Sequence, residues 1–180
     1  MKYNKNETLN HIVSKSYPCC VKDFNEVVLN EDDSLSEIPD YFTETDVIDL
    51  DCVEIERARI ERRNQISTMD CTFAISDNDN LEMLLVELRF NYKNLSNLNR
   101  QKLIDKVSGS LSILGNTVKI NNTYVFIFQP NLVEQATSRM RRMNPIIPNN
   151  YIAMDLNELI TRFFCIITPN GSGIAEGGDV

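Results

Sequence analysis

Two positions in the middle of the chain break an otherwise apolar run. Residues 82–90, EMLLVELRF, are hydrophobic almost throughout, yet they carry Glu87 and Arg89. Two residues apart in an extended segment, both side chains leave the same face of a sheet. A third polar residue, Asp70, interrupts the run MDCTFAI at 69–75. Charges removed from water need partners, because an unpaired one is costly to bury. Two carboxylates converging on one point make a site for a hard cation such as Mg²⁺ or Mn²⁺. Such a cation polarises a phosphate and activates a water for in-line attack. A nearby guanidinium, here Arg89, stabilises the charge that develops on the phosphate. The competing reading of Glu87 and Arg89 is a structural ion pair at the rim of a sheet. For Asp70 it is a strand-start residue that bonds a turn.

The elements that must position these groups can be read from periodicity. Residues 53–66, VEIERARIERRNQI, have the pattern of a charged helix, with Asp51 available as its cap. Residues 69–75 alternate as a strand, with Met69, Cys71, Phe73 and Ile75 on one side and Asp70, Thr72 and Ala74 on the other. The cluster SDNDN at 76–80 is a turn, so residues 82–90 return as a hairpin partner. That pairs residue i with about 157 − i, which sets Asp70 opposite Glu87. The return strand is apolar on both faces, as a central strand should be. Residues 96–114 form a helix, with Ser96 as its cap, an apolar stripe through Leu103, Ile104, Val107, Leu111 and Leu114, and a stop at Gly115. Residues 123–129 are a strand, parallel to 82–90 because a helical crossover separates them. A helix over 132–143, a short edge strand over 151–154 and a helix over 155–164 capped by Asp155 complete the order.

A helix, a strand bearing Asp and a strand bearing Glu-x-Arg, then helix, strand and helix, is an arrangement that resembles the PD-(D/E)xK nuclease-like fold over residues 53–164. The resemblance implies a restriction-endonuclease-like α/β (α+β) architecture, with a central mixed sheet flanked by helices. It implies that Asp70 and Glu87 bind Mg²⁺ or Mn²⁺. A glutamate of the preceding helix (Glu54, Glu56 or Glu61) would be a third ligand, Glu61 being nearest the strand. The family's lysine is replaced by Arg89, which does not give up its proton and so acts only as an electrostatic clamp. In some members the lysine lies on the following helix, where Lys102 and Lys106 are available. The implied activity is phosphodiester hydrolysis of nucleic acid, with Arg139, Arg141 and Arg142 as candidate phosphate contacts. A non-catalytic descendant of the fold, acting as an acidic immunity or antitoxin-type partner of a basic protein, is the second expectation.

Charge distribution bears on that choice. The net charge is −8, but residues 23–56 hold 13 acidic side chains and no Lys or Arg. From Arg57 onward, 14 basic residues face 12 acidic ones. The expected organisation is an acidic extension over 1–52 packed on or near the core, a nuclease-like core over 53–167 and a flexible tail over 168–180. The acidic run reads either as a solvated surface or as an arm that covers a basic patch.

Other chemistries are disfavoured. His11 is the lone imidazole and lies in a polar stretch, which argues against Ser-His or Cys-His catalysis. There is no Gly-rich phosphate loop. Five cysteines with no C-x-x-C, and Cys19 adjacent to Cys20, give a poor chelating pattern, so no zinc site is expected. Cys71 and Cys165 lie in apolar runs and read as buried thiols. No leader and no apolar stretch of membrane-spanning length is visible, and a reducing, cytoplasmic setting without membrane contact is expected.

Overall fold

A computed structural model describes residues 1–164. The 168–180 tail expected from the sequence, and Cys165, lie outside the described residues. The chain begins with β1 (Lys2–Tyr3), α1 (Lys5–Asn10) and α2 (Ile12–Ser16). A 3-10 turn over Pro18–Cys20 leads to β2 (Val21–Asp23), α3 (Phe24–Glu31) and, after a loop, β3 (Asp46–Asp49). α4 (Leu50–Glu61) follows without a break. β4 (Cys71–Ser76) and β5 (Leu81–Arg89) form a hairpin, and α5 (Arg100–Leu114) crosses to β6 (Ile120–Phe128). A second 3-10 turn, Pro130–Leu132, opens α6 (Val133–Arg141), which leads to β7 (Tyr151–Met154). α7 (Leu156–Leu159) runs on into a π turn over Ile160–Phe164.

All seven strands belong to one mixed sheet, ordered β2-β3-β4-β5-β6-β7. The first half of β4 pairs with β3 and its second half with β1, both antiparallel. The β4–β5 hairpin runs from Cys71 opposite Val86 to Ser76 opposite Leu81. Each pair sums to 157, the register expected from the turn. β6 is parallel to β5, and β7 to β6. The fold is therefore α/β with helices on both sheet faces.

Side-chain alternation sorts the core into two layers. Met83 and Leu85 of β5 pack with Phe126, Phe128, Leu103, Val107 and Met140 on the face of α5 and α6. Leu84, Val86 and Leu88 pack on the other face with Phe24, Phe73, Val27 and Leu159. Phe24, Phe73, Phe126 and Phe128 are wholly buried, and each adds roughly 2–3 kcal/mol of hydrophobic stabilisation.

The region expected to be an acidic extension packed on or near the core contributes strands of its own to this sheet. β2 pairs with β3 (Val21 opposite Ile48), and β3 pairs with β4, so the sheet does not stop at residue 53. Its short apolar islands, such as Val27–Val28 and Val47–Ile48, are core residues. The first lies in the short helix α3 and the second in the four-residue strand β3, and neither element is long enough to show a clear period on its own.

Element ends also differ from the sequence reading. α4 starts three residues earlier than expected, capped by Asp49 rather than Asp51; the Asp49 side chain accepts the Cys52 N–H at 2.8 Å. It stops at Arg62, which adopts the left-handed conformation (φ 53°), as is common at helix C-termini. α5 starts at Arg100 because Asn99, not Ser96, accepts a terminal amide, from Lys102 at 3.2 Å. Leu95 and Leu98 are instead buried in the loop before it.

Candidate functional site: a buried charge cluster beside an acidic cleft

Asp70 lies just before β4, where the chain passes the start of α4. Its carbonyl accepts the Leu50 N–H at 3.0 Å. Its Oδ2 accepts the Leu88 N–H of β5 at 2.5 Å, so the side chain continues the hairpin ladder beyond the last paired residues. Glu87, on β5, is 1% exposed and Asp70 4%. Both share the sheet face covered by α5, and the helix supplies the group that joins them. Lys106 Nζ lies 3.2 Å from Asp70 Oδ1 and 2.8 Å from Glu87 Oε1. Arg89 Nη2 reaches the same Glu87 oxygen at 2.8 Å. Its guanidinium stacks over the Tyr92 ring, 5.5 Å from the centroid.

α5 can hold Lys106 there because of two small residues one turn further on. A Cβ on Gly109 would come within 2.0 Å of the Ser67 carbonyl oxygen, so only glycine lets the helix lie this close to the segment leading into Asp70. Ser110 Oγ accepts the Met69 N–H at 2.8 Å and donates to the Lys106 carbonyl at 2.9 Å. The helix, the approach to β4 and the lysine are thereby fixed relative to one another.

The electrostatics keep protons in the cluster. Burial pushes the Glu87 carboxyl well up, Asp70 adds to this, and Arg89 and Lys106 oppose it. For Lys106, burial pulls the ammonium down, but the Glu87 and Asp70 carboxylates outweigh it and the net direction is upward. Lys106 holds its own proton tightly, and Glu87 takes one more readily than an exposed glutamate does.

Asp70 also borders a cleft of about 160 Å³ whose other acidic walls are Glu31, Asp49 and Asp51. Glu31 ends α3, and the two aspartates flank the start of α4, where the positive end of the helix dipole favours them. Asp51 accepts a hydrogen bond from the Thr68 hydroxyl. Burial raises the Asp49 and Asp51 carboxyls. Glu31 is pushed up to about 7, first by burial and then by Asp70 and Asp51, with Lys106 opposing.

The helix glutamates expected as third ligands stand elsewhere. It is the N-terminus of α4 that abuts Asp70, so Glu61, eleven residues on, lies about 16 Å down the axis at 1.5 Å per residue. Its carboxylate pairs with Arg63 and, at 3.7 Å, with Arg57. Glu56 pairs with Arg59 at 2.6 Å. Glu54 is buried, holding Arg63 Nη2 at 3.0 Å and the Ile66 N–H at 2.8 Å.

The remaining expected contacts also lie outside the cluster. The Lys102 side chain is exposed and makes no ion pair among the described residues. Arg139 donates to the Ser96 carbonyl at 2.7 Å and pins the loop before α5. Arg142 bonds the Ser138 carbonyl at 3.1 Å, and Arg141 lines a groove between α6 and β7. Sequence reasoning missed Glu31, Asp49 and Asp51 as neighbours of Asp70. The 23–56 acidic run was the available signal, but charge density alone does not say which acids converge.

Cys71 is a buried free thiol, as expected. Two other cysteines depart from expectation: Cys20 and Cys52 form a disulfide, while Cys19 is an exposed thiol. Residues 32 apart met because β2 pairs with β3, which no local pattern encodes. His11 is buried rather than part of a polar tail, and its Nδ1 accepts the Val13 N–H at 3.2 Å.

The donors around Asp70 and Glu87 are all oxygens, the kind a hard cation takes, and Glu87 Oε2 is buried without a hydrogen-bond partner among the described residues. Against this, Lys106 and Arg89 already balance the two carboxylates. Comparison with protein-family models, with curated sequences and with solved structures finds no match for this chain.

Proposed function

We propose that the protein is a PD-(D/E)xK-like, divalent-metal-dependent hydrolase of phosphodiester bonds in nucleic acid. The observation that supports this most is the meeting of Asp70, just before one strand, and Glu87, in the body of the next, at the ammonium of Lys106 from the following helix, 3.2 Å and 2.8 Å away. In this reading Asp70 and Glu87 hold Mg²⁺ or Mn²⁺. The ion would supply Lewis acidity toward the phosphate and a more acidic bound water. Lys106, released from the carboxylates as the ion enters, would orient the water or a phosphate oxygen. Arg89 stays charged and clamps negative charge. Acidic walls repel a phosphate chain, so substrate would approach only once the cleft is neutralised.

A second reading is favoured by one observation: Glu31, Asp49 and Asp51, from the acidic segment, line the same cleft as Asp70. An internally neutralised cluster behind an acidic wall suits a non-catalytic module that binds a basic protein. Among the described residues no helix is long and apolar enough to cross a membrane. The cytoplasmic setting we retain would keep Cys20 and Cys52 as thiols.

Calorimetric titration with Mg²⁺ and Mn²⁺, native chain against Glu87→Gln, separates the readings. The hydrolase reading expects binding heat that the substitution diminishes, together with metal-dependent cleavage of DNA or RNA lost in the same variant. Absence of heat from both proteins would leave the interaction module as the better account.

A further inference from the structure

Away from the charge cluster, three sulfurs meet at the start of α4. Cys19 and Cys20 come from the 3-10 turn before β2, and Cys52 from the first turn of α4. Their Sγ atoms all lie within 4.8 Å of one another. Adjacent cysteines alone chelate poorly; the third donor arrives because β2 pairs with β3, Val21 opposite Ile48, which sets the residues before β2 beside those after β3. The sheet thus brings the two segments together, and in the oxidised chain the Cys20–Cys52 bond completes the gathering.

We infer that, once the Cys20–Cys52 disulfide is reduced, Cys19, Cys20 and Cys52 form a thiolate site for a thiophilic d¹⁰ ion, Zn²⁺ or Cu⁺. Soft sulfur donors select such ions over the Mg²⁺ class. Tetrahedral zinc with bonds of about 2.3 Å needs sulfurs about 3.8 Å apart. The Cys19 and Cys20 Sγ atoms are 3.9 Å apart. Cys19 is exposed, so the fourth position faces solvent and the bound ion is exchangeable. The chemistry balances simply. A dithiol reductant gives two electrons and two protons to the disulfide and becomes a disulfide itself. The three thiols then release their protons as metal–sulfur bonds form, with no change of oxidation state at the ion.

The test uses the full chain, reduced and kept free of oxygen. Titration with Co²⁺, a spectroscopic stand-in for Zn²⁺, should produce a thiolate-to-metal charge-transfer band that saturates at one ion per chain. Zn²⁺ should abolish the band, and Cu⁺ measured against a chromophoric chelator shows which ion is held more tightly. Cys19→Ser leaves the Cys20 and Cys52 pair intact, so folding is not at issue. It should weaken binding at least about tenfold, since even outer-shell losses at metal sites cost that much. The oxidised native protein should bind neither ion here. The inference is overturned if the reduced chain shows no thiolate band with Co²⁺ and no Cu⁺ capture, or if Cys19→Ser binds as tightly as the native protein.

Discussion

The Lys106 ammonium sits 2.8 Å from Glu87 Oε1, tying the middle of α5 to a strand residue that is 1% exposed. The same ammonium reaches Asp70, so it bridges two buried carboxylates, while Arg89 pairs with Glu87 alone. Removing one partner of a buried pair leaves the other uncompensated, a cost of about 3–5 kcal/mol. Lys106→Met should lower the free energy of unfolding by about 3 kcal/mol, toward the lower end because the lysine is partly exposed. Glu87→Gln in the same chain should return part of that loss. A double-mutant cycle by urea unfolding measures the coupling, and strict additivity would show that the pair is not energetically linked.

Gly109 sets how closely α5 approaches the segment before Asp70. A methyl group there meets the Ser67 carbonyl, which is backbone and yields only if the helix moves. Gly109→Ala should destabilise the protein by about 2–3 kcal/mol despite the better helix propensity of alanine. It should also draw Lys106 away from the carboxylates. Thermal unfolding together with the ¹⁵N chemical shift of the Lys106 ammonium would report both effects. A variant at least as stable as the native chain would contradict the close approach.

Glu31 gives a pH signature. Its carboxyl is raised to about 7 in the folded state by burial first, then by Asp70 and Asp51. Between the ordinary glutamate value and about 7, the unfolded chain has lost this proton while the folded chain keeps it, so stability falls as pH rises through that window. Above it the penalty is constant, and below it is absent. Glu31→Gln removes the penalty. The variant should gain about 1–2 kcal/mol over the native chain at pH 8, after allowance for solvent screening at this half-buried site, and nothing at pH 4. Urea unfolding across pH would show the two curves diverging upward; parallel curves would refute the assignment.

Reduction should weaken the fold without abolishing it. The Cys20–Cys52 link spans 32 residues, and closing such a loop constrains the unfolded chain by up to about 3–4 kcal/mol. A sheet of seven strands with two apolar layers does not depend on one staple. With a phosphine reductant the midpoint in urea should fall, while the far-ultraviolet circular dichroism of the folded state stays unchanged. Loss of that signal on reduction alone would show that the disulfide is needed for folding.

Period-two alternation in 69–75, the near-continuous apolar run of 82–90 and a polar turn of known length between them determined the hairpin register and hence the placing of Asp70 and Glu87 on neighbouring strands, with Arg89 beside Glu87. Those are local facts: a strand has two faces, and a turn fixes the count. The long apolar return strand and the helical crossover likewise determined that β6 runs parallel to β5. What the sequence did not disclose depends on distant segments closing on one another. The pairing of β2 with β3 joined Cys20 to Cys52, and the packing of α3 and α4 turned Glu31, Asp49 and Asp51 toward Asp70 while sending Glu61 to the far end of its helix. Both Lys102 and Lys106 were open from spacing alone. Only the seating of α5 on Gly109 and Ser110 chose Lys106, because side-chain reach is decided by how closely two elements pack and not by the pattern along either one.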